Sequence, residues 1–153
     1  MGTRVFRSAA KALLAVVAAI GMVLAANGPA MAADVWKYYP DGDGWEIDLV
    51  RDGTAKGYGV FNADPQGVVN PIPGDAFRAC DTDADGKGIE IQRKFSGGSW
   101  TVMASTRGHS VVGDSYCTFW ETGDMVEDTL LQVRVCIVEG EHSTCSDARY
   151  SYA

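Results

Sequence analysis

Asp81-x-Asp83-x-Asp85-Gly86 is the sharpest chemical pattern in the chain. Acids at alternate positions before a glycine can wrap a loop round a hard cation such as calcium. The pattern opens like an EF-hand loop and then departs from it. The twelfth position is Gln92 and not a bidentate Glu, and the eighth is Gly88. Asp81, Asp83 and Asp85 are therefore candidate calcium ligands of another kind, set against an ordinary Asp/Gly hairpin turn, which is the favoured reading; no other cofactor is expected.

His109 and His142 are the two histidines. His109 precedes Ser110, with Asp114 nearby, which raises a small hydrolase as a possibility to weigh. A hydrolase needs a nucleophile, a base and an orienting group in mutual reach. Neighbouring side chains on a strand point apart, and the chain has no G-x-S-x-G elbow. The residues thus favour a protein that is not an enzyme, with no catalytic residue assigned. Trp36, Tyr38, Tyr39 and Trp45 cluster early in the sequence. Exposed aromatics beside acids would stack on sugar rings or seat a protein partner. The rival is core filling, which the inward positions expected of Trp45 and Trp100 favour.

These residues need elements to hold them, and the first segment is not one. Arg4, Arg7 and Lys11 precede an apolar run from Ala12 to Ala26, too short to span a bilayer. Gly28 and Pro29 break the run, and Ala30-Met31-Ala32 offers small residues where a signal peptidase reads. Residues 1–32 are expected to be a helical signal peptide cut after Ala32, leaving a secreted product with no membrane attachment. The whole chain carries a formal charge of −7, and removing three basic residues takes it to −10. Such a surface repels nucleic acid, whose binding rests on neutralised phosphates.

Cys80, Cys117, Cys136 and Cys145 are an even set in an exported chain, which reads as two disulfides. Three connectivities exist. Cys136–Cys145 is favoured because the eight residues between them include Gly140 and can fold as a hairpin, leaving Cys80–Cys117 as the longer staple.

Alternation with period two runs through the chain after residue 32. Trp45, Ile47 and Leu49 form one face; Ile89, Ile91 and Phe95 another; Trp100, Val102 and Ala104 a third; and Leu131, Val133, Val135 and Ile137 the clearest. Shorter strands are expected at Val35–Tyr39, Tyr58–Phe61, Phe77–Cys80, Tyr116–Trp120 and Arg149–Tyr152. Gly/Asp turns separate them. The class expected is all-β, an immunoglobulin- or fibronectin-like β-sandwich or a small β-barrel. The Pro- and Gly-rich stretch 64–74 would divide an N-terminal β-hairpin segment, 33–63, from a disulfide-stapled core, 75–153.

Ala79-Cys80-Asp81-Thr82-Asp83-Ala84-Asp85-Gly86, Tyr116-Cys117-Thr118-Phe119-Trp120 and Val133-Arg134-Val135-Cys136 together resemble a group of small secreted actinomycete proteins of uncharacterised function, over roughly residues 75–149. The resemblance implies a secreted, disulfide-containing β-protein and carries no activity with it. The run from Gly123 through Val135 also looks like the corner before the penultimate strand of immunoglobulin-like and fibronectin-type domains, with Leu130 and Leu131 where a corner Tyr is usual.

The leading functional reading is a secreted, non-enzymatic β-sandwich binding module whose partner is an extracellular protein or a polysaccharide. The alternative is a secreted inhibitor of an extracellular enzyme. Its contact loop would be Gly67–Gly74 or Gly140–Thr144, since a preorganised loop loses less entropy on binding.

Overall fold

The computed structural model describes residues 33–153, which form one compact unit. The expected signal peptide and its cleavage site lie outside the described residues. No helix among those residues is long and apolar enough to cross a membrane.

The described chain runs through β1 (Val35–Asp41), β2 (Gly44–Arg51), β3 (Thr54–Asn62), β4 (Ala76–Asp81), β5 (Gly88–Phe95), β6 (Thr101–Ser105), β7 (Tyr116–Cys117), β8 (Glu121–Thr122), β9 (Leu130–Glu139), β10 (His142–Cys145) and β11 (Arg149–Tyr152). The first sheet has the order β1-β2-β3-β4-β7, with β8 also on β4. The second has the order β10-β9-β5-β6, with β11 also on β9. All the pairings between these strands are antiparallel. The two sheets stay separate and pack as a sandwich; they do not close into the barrel that the sequence left open. Four consecutive strands form a meander in the first sheet, so the strand order differs from that of an immunoglobulin domain.

The expected division at 64–74 is not a domain boundary. β3 before it and β4 after it pair over six residues, from Gly57↔Asp81 to Asn62↔Ala76. A hairpin carrying Ile47, Leu49 and Phe61 must bury them, and the second sheet supplies the cover. One core results: Ile47, Leu49, Phe61, Phe77 and Ala79 face Ile89, Ile91, Leu131, Val133, Val135 and Ile137. On β3 the inward positions 57 and 59 are both glycines. A Cβ on Gly59 would lie 2.5 Å from Val135 Cγ2 and 3.1 Å from Ile91 Cβ. The second sheet therefore rests on bare β3 backbone.

The alternation expected of Ile47 and Leu49, of Ile89 and Ile91, and of β9 holds. That of β6 does not. The register shifts where β5 passes from Ile91 to Gln92, so that Ala104 pairs with Ile91 but Val102 pairs with Gln92. Met103 then packs against the core while Val102 is exposed. Trp100 also lies outside the core cluster, and the Arg134 guanidinium sits 4.0 Å from its ring centroid. The expected strand Tyr116–Trp120 is broken too: β7 and β8 pair with opposite ends of β4, and Phe119 is exposed between them.

Both disulfides form as expected, Cys80–Cys117 and Cys136–Cys145. Each joins residues directly opposite one another, across β4/β7 and β9/β10. Cys80 alternates with the core residue Ala79, and Cys136 with Val135, so both bridges lie on outer faces and neither links the two sheets.

One device recurs where edge strands stop. The residue after β6, Thr106, donates its backbone N–H to Ile89 O at 2.9 Å, while its hydroxyl accepts the Ile89 N–H at 2.8 Å. Thr118, after β7, does the same with Ala79, at 2.9 and 3.2 Å. Ser146, after β10, does it with Val135, at 2.8 and 3.1 Å. The side-chain oxygen stands where a strand carbonyl would be, so the chain can turn away without leaving a buried N–H unpaired.

Candidate functional site

At one end of the sandwich β4 ends, β5 begins, β6 ends and β9 turns into β10. The three connections there enclose a cleft of about 390 Å³. Asp81 lines it from the end of β4, and Asp83 and Lys87 from the β4–β5 loop. Arg107, Gly108, His109 and Ser110 line it from the loop after β6, and Gly140 from the β9–β10 turn. Two patterns that the sequence shows separately, the Asp-rich turn and the His109–Ser110 pair, thus share one cavity.

Thr106 fixes where the second loop leaves the sheet, and Gly108, at φ +80°, turns it over the cleft. A side chain would be rarely tolerated there. Gly88 forms part of the floor. A Cβ at that position would come within 3.1 Å of Arg107 Cα and 3.2 Å of Val138 Cγ2. Arg107 ties the loop after β6 to β5 and to the β9–β10 turn. Its Nε lies 3.3 Å from the nearly buried Glu90, its backbone N–H donates to Ser105 Oγ at 3.1 Å, and its Nη1 donates to Gly140 O. Ser105 Oγ and Gln92 Nε2 also donate to Glu90, at 3.3 and 3.2 Å.

The three aspartates are brought close in sequence but turned to different partners. Asp81 Oδ1 accepts the Asp83 N–H at 2.9 Å. Asp83 Oδ2 pairs with Lys56 at 3.0 Å. Asp85 accepts the Lys87 N–H at 3.0 Å and pairs with Arg51 at 3.3 Å. Among the described residues, no three His, Cys, Asp or Glu side chains converge as a metal-holding group. The loop is built as an Asx turn braced by two cations.

His109 is exposed and stacks flat on Tyr116, with ring centroids 4.5 Å apart. Ser110 lines the cleft beside it, whereas Asp114 does not. His142 stands exposed on β10 and does not line this cleft. Of the early aromatics, Trp36, Tyr38 and Trp45 pack against the core and Tyr39 is exposed. Arg149 lies 3.7 Å over the Tyr38 ring, and Trp45 Nε1 donates to Tyr150 O at 2.8 Å. Those four do not form a common exposed platform.

Lys87 and Arg107 escape sequence reasoning because they come from two different connections, the β4–β5 loop and the loop after β6. The one local signal is the Gly108 turn that exposes His109 directly after a strand.

Asp81 is only 4% exposed. Burial pushes its carboxyl above the ordinary value, the Asp83 N–H opposes this, and the charges of Asp85 and Asp83 add to the rise. Glu46 and Asp48, side by side on the outer face of β2, are also raised, chiefly by burial. Asp48 and Asp41 add to the rise at Glu46, while Lys37 offsets it at Asp48. A raised acid binds its proton more tightly in the folded state than in the unfolded one. Stability from these groups therefore falls as pH climbs from the ordinary carboxylate range through their raised values, and the penalty is complete above those values. Asp81→Asn keeps an oxygen for the Asp83 N–H and removes the charge. Its melting temperature should exceed that of the parent by a few degrees near pH 7, and the difference should vanish near pH 3. Thermal melts across that range check the sign.

The fold and cleft together define a small, disulfide-stapled, two-sheet β-sandwich with a polar end cleft. Comparison with family models, with curated proteins and with solved structures finds no match.

Proposed function

We propose that residues 33–153 are a secreted, non-enzymatic binding module that holds the end of a hydroxyl-rich ligand, a short saccharide, in the cleft. The cleft itself supports this reading: its lining mixes the acids Asp81 and Asp83 with the basic Lys87 and Arg107, the imidazole of His109 and the hydroxyl of Ser110. A sugar hydroxyl donates to one partner while accepting from another, so alternating acceptors and donors suit it better than a patch of one sign. The volume of about 390 Å³ falls in the range of small-molecule sites. Arg107 is held by Glu90 and Gly140 before any ligand arrives, which lowers the ordering cost of binding. Two disulfides in a small β-domain suit an oxidising, extracellular setting. The acidic surface suits a polysaccharide or protein partner and not a nucleic acid.

The test is titration calorimetry against neutral oligosaccharides, with retention on insoluble polysaccharides as a first screen. Asp83→Asn and Ser110→Ala should each weaken binding by roughly tenfold, the value of one charge-assisted or well-placed hydrogen bond. Ester or glycoside turnover by the parent that His109→Ala abolishes would replace this reading with a hydrolase.

A further inference from the structure

The outer face of the second sheet carries a charge pattern opposite to that of the chain. Ile91, Val133 and Val135 point into the core, so Gln92, Lys94, Gln132 and Arg134 point outward. Gln92 stands opposite Arg134, Lys94 opposite Gln132, and Gln132 opposite Tyr150. The β5–β9 ladder runs from Gly88 to Phe95 without a slip, and the Cys136–Cys145 bridge ties β9 to β10 on the same face. The surface is therefore regular and fixed. The chain holds 20 acidic residues against 13 basic ones. Among the outward residues of β5, β6, β9 and β11 the one acid is Glu90. It is 7% exposed and already takes hydrogen bonds from Gln92, Ser105 and Arg107.

Two cations stand free on this face. Arg134 and Lys94 both lie over the Trp100 ring, 4.0 Å and 5.7 Å from its centroid. Among the described residues neither pairs with a carboxylate. Arg134 gives Nε and Nη2 to Gln92 Oε1 at 3.0 and 2.9 Å, which sets the guanidinium in place and leaves Nη1 over. Burial holds this group below its ordinary pKa. A half-buried cation without a counter-ion is a cost that a carboxylate from outside would relieve. Tyr150, 64% exposed, sits one strand away and diagonal to Arg134, about 7–8 Å off in such a register.

This pairing of free cation and exposed ring selects the ligand. A sugar ring lays an apolar face on a tyrosine, and a carboxylate on that ring reaches the neighbouring cation. A stiff chain of such rings has little freedom to lose on a fixed surface, whereas an acidic peptide must order every residue. The acids of the first sheet's outer face are too far away to repel it. Packed sheets lie about 10 Å apart, and salt screens a charge over roughly 8 Å. Nucleic acid spaces its phosphates too densely for two cations to neutralise.

We propose that the outer face of the second sheet binds an acidic polysaccharide, a polymer of uronic acid residues, with its carboxylates on Arg134 and Lys94 and a sugar ring against Tyr150. No lining residue of the end cleft takes part, and the proposal does not rest on the reading of that cleft.

The experiment is titration calorimetry of the purified protein with polygalacturonate, neutral dextran and polyglutamate as probes. Binding to polygalacturonate alone, tighter than about 1 mM in uronate and weakening as salt is raised, is expected. Arg134→Gln/Lys94→Gln should weaken it by about thirtyfold or more, the loss of two charge-assisted contacts. Lys94→Gln alone keeps the Arg134–Gln92 contact, so it should weaken binding severalfold with an unchanged melting temperature, and it carries the test if the double variant does not fold. Tyr150→Ala should weaken binding and leave its salt dependence as it was. Asp83→Asn and Ser110→Ala should leave it unchanged, whatever they do to ligands of the cleft. Absence of binding at about 1 mM uronate would overturn the proposal. So would equal binding of dextran, or full binding by Lys94→Gln. Polyglutamate bound as tightly as polygalacturonate would overturn it in favour of an acidic protein partner.

Discussion

Removing Cys80 and Cys117 together, as C80A/C117A, is expected to lower stability by about 4 kcal/mol, the largest loss from any covalent change in the described chain. Chain entropy sets that size. The bridge closes a loop of 37 residues in sequence separation, against 9 for Cys136–Cys145. The same arithmetic gives about 2.5 kcal/mol for C136A/C145A. The two pairs are alike in the folded state: each is a directly opposed pair on an outer face, and Cys80 and Cys136 are both fully buried. The comparison therefore isolates loop length. Without its bridge, β7 keeps two residues of pairing and the Thr118 hydroxyl to hold it on β4, so the edge of the first sheet should loosen before the core does. Urea unfolding of parent and both double variants measures the order. A smaller loss for C80A/C117A than for C136A/C145A would show that the longer loop stays compact when unfolded.

Phe61→Ala should cost about 3–5 kcal/mol and lower the melting temperature by on the order of 15 °C. Phe61 is fully buried and stacks on Phe77 with ring centroids 4.7 Å apart. It pairs with Trp45 on one side and Phe77 on the other, so the truncation opens a cavity where β2, β3 and β4 meet. The glycines at 57 and 59 make collapse into that cavity difficult, because β3 already sits as close to the second sheet as its backbone allows. Val102→Ala, on the exposed side of β6, serves as the control and should change stability by less than about 0.5 kcal/mol. Calorimetric melts of the two variants separate core packing from a general effect of shortening side chains.

What the sequence made legible was whatever one strand decides alone. Ile47 and Leu49, Ile89 and Ile91, and Leu131 to Ile137 alternate because each strand has one buried face, and Asp52-Gly53 reverses the chain because both residues adopt positive φ. The Cys136–Cys145 pair was legible for the same reason, as a hairpin closes it locally. What two distant strands decide together was hidden. The slip opposite Ile91 and Gln92 turned Trp100 and Val102 outward, although their spacing matches that of a buried face. Gly57 and Gly59 bring the sheets together by having no side chain, and so leave no hydrophobic signal to read. The prolines at 65, 71 and 73 resemble a linker, yet Asn62 and the Gln66–Ile72 ring make that segment a braced loop inside a single sheet connection. The cleft draws on three connections, and proximity between connections has no periodicity in the chain.

The hydroxyl-capped strand ends bear on how such a protein survives when concentrated. An open sheet is a template: free N–H and C=O groups along a border invite a strand from another molecule, and the product grows into fibres. At Ile89, Ala79 and Val135 both backbone groups facing the border are already engaged by Thr106, Thr118 and Ser146. The border is thus closed where the regular ladder gives out, by residues too short to continue as strand themselves. An incoming chain laid along β4, β5 or β9 would find its docking points occupied at those positions, with no proline or lysine needed there to turn it away.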